Sequence, residues 1–275
     1  VIHVFGFQKS YVQFLLLILN KFFRKRIVVS ILNERAYFFF NSYNFIQKFN
    51  AILFLKNVFR VISVNKNAQI PIVNKSKIIH ISPFIFPARC NLNEKQIPNE
   101  IRNFNIKHKY VIFANAFRIK FFNGIDLYGI DLAIEMLNQI NKQRQDIGII
   151  FHIPDIVDYD YLSLMKKRIK EYNLNESFIF YTHPLSTSEY LSILKSSDIF
   201  IRPTNTDGDS ISIREALYLK IPTITSDATI RPAGTILFEN RNPQSLFEKG
   251  MDVINNYNDY LENSKRYGGN DSGAK

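Results

Sequence analysis

Cysteine is almost missing from this chain. Cys90 stands alone among 275 residues, so no internal disulfide framework can form, which fits a reducing compartment. No apolar run is long enough to cross a bilayer. The strongest, within SYVQFLLLILNKFFRKR, is apolar from Val12 to Leu19 apart from Gln13, too short for a span. No small-residue cleavage site follows it, which argues against a signal peptide. No G-x-G-x-x-G follows a strand, so a nicotinamide site lacks its phosphate turn, and no G-x-x-x-x-G-K-[ST] occurs. The five histidines, His3, His80, His108, His152 and His183, lack metal-ligand spacing. His3 and His152 lie in apolar strands and read as satisfied strand residues.

Acidic residues are scarce in one part only. Residues 1–105 hold 15 Lys and Arg against 3 Asp and Glu, a balance of +12, while the remainder balances at −1. A basic unit is thus joined to a neutral one. A basic unit faces an anionic partner: a membrane surface, a nucleic acid or a phosphorylated substrate. Its aromatics read as core-forming and no RNA-binding motif is present, which sets nucleic acid aside. The stretch after Ser10 reads either as an interfacial helix, with Lys21, Arg24, Lys25 and Arg26 meeting anionic lipid, or as a buried helix with a solvated basic end.

Short runs rich in β-branched residues predict strands at 2–5, 27–32, 60–64, 77–81, 110–114, 147–153, 178–181, 198–202, 223–226 and 235–238. Helical spacing falls between them, at 10–23, 45–58, 129–143, 160–172, 186–195, 212–219 and 243–256. This alternation predicts parallel sheets covered on both faces, with ligands at the C-terminal strand ends. The expected division is an α/β unit at 1–84, a linker at 85–107, a second α/β unit at 108–256 and a polar tail at 257–275. VIHVFG reads as a strand entered in mid-fold, so the chain is expected to be a piece of a longer protein.

The stretch TNTDGDSISIREAL, 204–217, sits where a strand ends and a helix begins. Gly208 permits a sharp turn and close approach to the backbone. The amides near Ser210 and Ile211 make a helix N-terminus suited to an anion. Two plainer readings compete. Ser212 and Glu215 spell a capping box, and Asp207 and Asp209 suit a turn. Asp207 and Asp209 also form D-x-D, but two acids in a turn fall short of a metal's usual ligand set. Cations come from ANAFRIKFF, where Arg118 and Lys120 follow the strand at 110–114. An arginine fork with a lysine point charge suits a diphosphate.

At these residues the chain resembles the donor domain of retaining GT-B glycosyltransferases, glycosyltransferase family 4 in particular. SSDIFIRPT matches the family's aspartate, apolar strand and proline. Asp207 and Glu215 match its acid-x7-E pair, Ala216 and Leu217 follow as in the family, and KIPTITSD at 220–227 matches the next turn and strand. YGIDLAIEML and DYLSLMKKRIKEYNLNESFIFYT extend the resemblance back to about residue 110.

The resemblance implies an α/β fold of the GT-B type, two Rossmann-like parallel-sheet units, the first incomplete. It implies that Glu215 binds the ribose hydroxyls and Asp207 the donor sugar. The amides of Gly208, Asp209, Ser210 and Ile211 would face sugar and diphosphate. Arg118 and Lys120 would neutralise the leaving diphosphate, with no essential metal or other cofactor, and Thr182 and His183 would lie beside the base. The sequence departs from the family in four places. Asp207 stands where Glu is usual, the basic loop is longer, and the family's first glycine-rich loop is missing. Asn33, Glu34 and Arg35 occupy the place of an acceptor-side His or acid.

The expected activity is transfer of a sugar from a nucleotide-diphosphate donor to a saccharide or lipid-linked acceptor, with retention. The expected setting is bacterial cell-envelope polysaccharide synthesis, in the cytoplasm or peripheral on the inner face of the membrane. The alternative is a non-catalytic fragment that binds a nucleotide sugar or an anionic membrane.

Overall fold

The computed structural model describes residues 1–5, 10–23, 26–31, 43–64, 73–82, 84, 92 and 94–267. Arg24, Lys25, Asn33, Glu34, Arg35 and Cys90, and most of 85–93, lie outside the described residues. The chain divides into two compact units, residues 1–84 with 207–209 and residues 85–206 with 210–274.

The first unit holds β1 (Ile2–Phe5), α1 (Ser10–Phe23), β2 (Ile27–Ile31), α2 (Phe45–Asn57), β3 (Arg60–Ser63) and β4 (Ile78–His80). Its strands form one parallel sheet in the order β1-β2-β3-β4. Ile27, Val29 and Ile31 alternate along β2 and bury with Phe54 and Leu55 from α2 and with Val58 just after it. A capping box fixes the start of α2. Gln47 N–H donates to Asn44 Oδ1 at 2.9 Å, and Asn44 N–H donates to Gln47 Oε1 at 3.0 Å, so two otherwise orphaned amides are satisfied. His3 is satisfied as its strand position predicts, with Nε2 2.8 Å from Ser30 Oγ.

The second unit carries a six-stranded parallel sheet in the order β12-β11-β10-β5-β8-β9. Its strands are β5 (Tyr110–Asn115), β8 (Ile147–His152), β9 (Phe178–Tyr181), β10 (Ile199–Arg202), β11 (Thr223–Ser226) and β12 (Ile236–Phe238). A small antiparallel hairpin, β6 (Phe121–Phe122) and β7 (Ile125–Asp126), follows β5. The helices are α3 (Asn99–Lys107), α4 (Ile130–Asn141), α5 (Tyr159–Glu171), α6 (Thr187–Lys195), α7 (Ile211–Tyr218), α8 (Pro243–Asn255) and α9 (Tyr257–Tyr267).

Period-two alternation sends successive side chains to opposite faces of this sheet. Ile112 and Ala114, Ile149 and Phe151, Ile199 and Ile201 pack with Ile134, Leu137, Met165, Leu246 and Val253 from α4, α5 and α8. Val111 and Phe113, Ile150 and Phe200 pack with Phe104, Ile193, Leu194, Ile213 and Leu217 from α3, α6 and α7. Both faces are therefore covered, and the central strands read as continuous apolar runs for that reason. Each fully buried phenylalanine here contributes about 1.5–3 kcal/mol of transfer free energy.

Two segments carry more structure than their composition suggests. The stretch expected as a linker contains α3, whose Ile101 and Phe104 bury in the second unit's core. Gly148 makes room for it: a Cβ there would stand 2.5 Å from Phe104. The stretch expected as a polar tail continues as α9 through Tyr267, with the Tyr257 ring edge-on to Tyr110 at 5.2 Å.

Candidate functional site

Because all six strands are parallel, β5, β8, β9, β10, β11 and β12 end on one edge of the sheet. That edge collects most of the expected site residues. Arg118 follows β5 and is held twice. Its backbone forms a parallel bridge with Asp155, and its guanidinium pairs with the Asp155 carboxylate at 2.6 Å. The guanidinium also lies over the Phe117 ring, 4.9 Å from its centroid. Ile119 is buried at 2% exposure and anchors the loop, which leaves Lys120 exposed beside it. Thr182 and His183 follow β9. The buried ring of His152, at the end of β8, reaches the His183 carbonyl through Nε2 at 3.1 Å. Burial lowers the His152 pKa, so the ring is a neutral donor that fixes this loop.

Helix α7 follows β10. Its N-cap is Ser210, with no side-chain capping bond, and Ser210 Oγ lies 3.0 Å from Ser212 Oγ. The competing reading of Ser212 and Glu215 as a capping box does not hold. Ser212 is already the second helical residue and Glu215 the fifth, beyond reach of the orphan amides. The first-turn amides of Ile211, Ser212 and Ile213 thus carry the helix's positive end with no capping side chain of their own. Glu215 is half-buried one turn further on. Its carboxylate makes no hydrogen bond or ion pair among the described residues, and burial pushes its pKa up to about 7. The nearby Tyr190 phenol is raised by burial and then by Glu215.

Asp207, Gly208 and Asp209 lie in the connection from β10 to α7 and group with the first unit. Asp207 Oδ1 accepts from the Gly208 N–H at 3.0 Å, a local turn contact.

Several residues that hold this edge carry no role in the sequence reading. Arg202 ends β10 and is 8% exposed. It donates through Nη1 to the Asn115 carbonyl at 2.7 Å and lies over the Tyr128 ring at 4.9 Å. Gly129 adopts φ +71 at the N-cap of α4, and a Cβ there would meet the Pro203 carbonyl oxygen at 2.2 Å. Asp126 accepts from Tyr128 N–H at 2.9 Å, Ile130 N–H at 2.6 Å and Tyr161 Oη–H at 3.1 Å. It therefore caps α4 from the hairpin. Burial, then Asp131, raises its pKa. The hairpin has a signal in the sequence: Asn123-Gly124, both at positive φ, 53° and 74°, as a type I′ turn requires.

Among the described residues no group of three or more His, Cys, Asp or Glu comes together in a way that could hold a metal. No described helix is long and apolar enough to cross a membrane.

Comparison with known proteins adds to this geometry. The profile of the family described as Glycosyl transferases group 1 matches residues 100–270. The solved structure of Anabaena Alr3699/HepE in complex with UDP is similar at a TM-score of 0.75 and 11% identity, covering 97% of this chain and 72% of that one. A glycosyltransferase from Rickettsia africae ESF-5 is similar at 0.72 and 14% identity, with coverage of 97% and 72%. Sucrose-phosphate synthase from Thermosynechococcus elongatus is similar at 0.64 and 13% identity, with coverage of 96% and 68%. No curated protein matches the sequence. At these identities the likeness is one of fold: α/β with parallel sheets, of the GT-B kind.

Proposed function

The chain belongs to the glycosyl transferases group 1 family, and from that premise we propose that it moves a sugar from a nucleotide-diphosphate donor to a saccharide or lipid-linked acceptor with retention of configuration. The transferred group is a hexosyl or related glycosyl unit. One observation carries the reading. Arg118, the uncapped N-terminus of α7 and the unpartnered Glu215 carboxylate all stand on the C-terminal edge of one parallel sheet.

Each group has a task. As the bond from the sugar C1 to the β-phosphate oxygen breaks, negative charge gathers on the diphosphate. Arg118 and Lys120 supply positive charge there, and the amides from Gly208 to Ile211 supply hydrogen bonds. The neutralising work falls to these groups, without an essential metal. Glu215 accepts from the ribose hydroxyls, which supply the partners its half-buried carboxylate lacks. Thr182 and His183 border the base, their loop held by His152. Asp207 serves the sugar hydroxyls. The lone cysteine agrees with a reducing, cytoplasmic setting, and the basic first unit with work at the inner face of a bacterial envelope, in polysaccharide synthesis.

UDP is the first nucleotide to test, since the similar Anabaena structure holds it. Thermal shift against UDP, GDP, ADP and TDP should show one nucleoside diphosphate raising the midpoint as its concentration rises. No shift with any of the four, together with no release of nucleoside diphosphate from the matching nucleotide sugars, would sink the reading.

A further inference from the structure

The first unit presents two helices that are apolar on both sides. Toward the core, α1 packs Leu16 and Leu17, and α2 packs Phe54 and Leu55. Away from the core each helix carries a second stripe. On α1 it is Phe14, Ile18 and Phe22 at four-residue spacing, with Leu15 beside them; Phe22 is 78% exposed. On α2 it is Phe45, Phe49 and Leu53, again at four-residue spacing, with Ile46 beside them; Phe45 is 85% exposed. The two helices touch each other, and both join strands of one parallel sheet, so they run in the same direction. A helix with apolar stripes on two faces is normally covered on both. Two side by side make a continuous patch of the kind that marks an interaction site.

The charge around the patch says what covers it. Lys21 stands three residues past Ile18, and Lys56 three past Leu53, so a cation lies in the last turn of each helix, at the same end. Arg26 and Arg60 lie beyond, both guanidinium groups over the Phe59 ring at 4.6 and 4.8 Å from its centroid. None of the described residues of the first unit up to residue 84 is Asp or Glu.

We propose that the outer faces of α1 and α2 together dock this unit on an anionic phospholipid bilayer. Phe14, Phe22, Phe45 and Phe49 enter the headgroup–acyl boundary, and Lys21, Lys56, Arg26 and Arg60 meet lipid phosphates. A second copy of the chain is the poorer occupant, since an isologous contact would set two basic rims against each other. The sequence alone offers only the α1 stretch; α2 doubles the face and gives it a direction. The proposal does not depend on the donor chemistry.

The test is co-sedimentation of the chain with vesicles of phosphatidylcholine alone, or of phosphatidylcholine mixed with phosphatidylglycerol. The expected result is binding to the mixed vesicles only, weakening as salt rises. Phe45→Ser with Phe49→Ser should abolish it while leaving the melting midpoint unchanged, because both side chains are exposed. Lys21→Glu with Lys56→Glu, which spares the apolar face, should weaken it by roughly 25-fold or more, at roughly fivefold for each lysine lost. This charge variant decides the matter if the phenylalanine variant fails to fold. Equal binding to neutral vesicles overturns the proposal, as do variants that bind like the parent. So does a concentration-dependent dimer that the phenylalanine pair breaks in a chain that ignores vesicles.

Discussion

The Arg118 guanidinium and the Asp155 carboxylate meet at 2.6 Å, on two segments that the backbone also joins by a parallel bridge. The pair is not buried: the two side chains are 43% and 40% exposed. An exposed pair of this kind adds little stability, about 0–1 kcal/mol. Its consequence is positional, since it keeps a cation at the sheet edge in the absence of an anionic ligand.

Arg118→Ala is therefore expected to leave the fold intact and to slow transfer by roughly 10²–10³-fold, the usual cost of losing one donor to developing charge. Asp155→Asn should lower the melting midpoint by at most about 2–4 °C. Steady-state kinetics and scanning calorimetry on the two variants check both values.

Glu215 makes stability depend on pH. Its pKa is about 7 in the folded chain against 4.5 for an ordinary Glu. Between those values the folded state keeps a proton that the unfolded state releases, so this group's contribution falls as pH rises through the window. Glu215→Gln cannot ionise. Its midpoint should climb relative to the parent from about pH 4.5 to about pH 7, and stay higher beyond. A constant difference across a pH series of melts would contradict the assignment.

Gly129 and Gly124 separate backbone strain from crowding. Both have positive φ, +71 and +74, but a Cβ at Gly124 meets nothing within 4 Å whereas one at Gly129 meets Pro203. Gly124→Ala should cost about 1 kcal/mol from the left-handed conformation alone. Gly129→Ala should cost several times more, because the contact is with main chain at the junction of α4 and the end of β10. Urea denaturation of both variants measures the difference.

Asp126→Ala should orphan the Ile130 and Tyr128 amides and the Tyr161 hydroxyl together. Each buried group left unpaired costs about 1–3 kcal/mol, so this is expected to be the most damaging change outside the apolar core. Asp126→Asn, which keeps an acceptor, should recover part of the loss in the same melts.

The second unit's sheet is legible in the sequence for a physical reason. Strands buried on both faces, such as VIF in β5 and IGIIF in β8, read as unbroken apolar runs. Helix α3 is not legible, because only Ile101 and Phe104 mark its inner face and the rest is polar apart from the exposed Ile106. The hairpin β6–β7 is legible through Asn123-Gly124, a turn signal that the basic residues of the same loop outweigh. At the site, the placing of Arg118 and Glu215 on one edge follows from strand order. The Asp155 clamp does not, since no local pattern ties residue 118 to residue 155. The start of α7 misleads for a similar reason. Ser210 and Ser212 are both acceptable caps in sequence, and only the packing of Ile213, Ala216 and Leu217 against the core sets which one precedes the helix.

The order β12-β11-β10-β5-β8-β9 has one more implication. The chain enters this sheet at its middle, builds outward through β8 and β9, then returns and builds outward the other way through β10, β11 and β12. Connections leaving β5 and β10 therefore part to opposite sides, and a crevice opens where they diverge. A ligand bound there would owe its position to how the chain is routed, not to any one side chain. Loops can change which base or sugar is taken, while the place of binding stays fixed for as long as the strand order does.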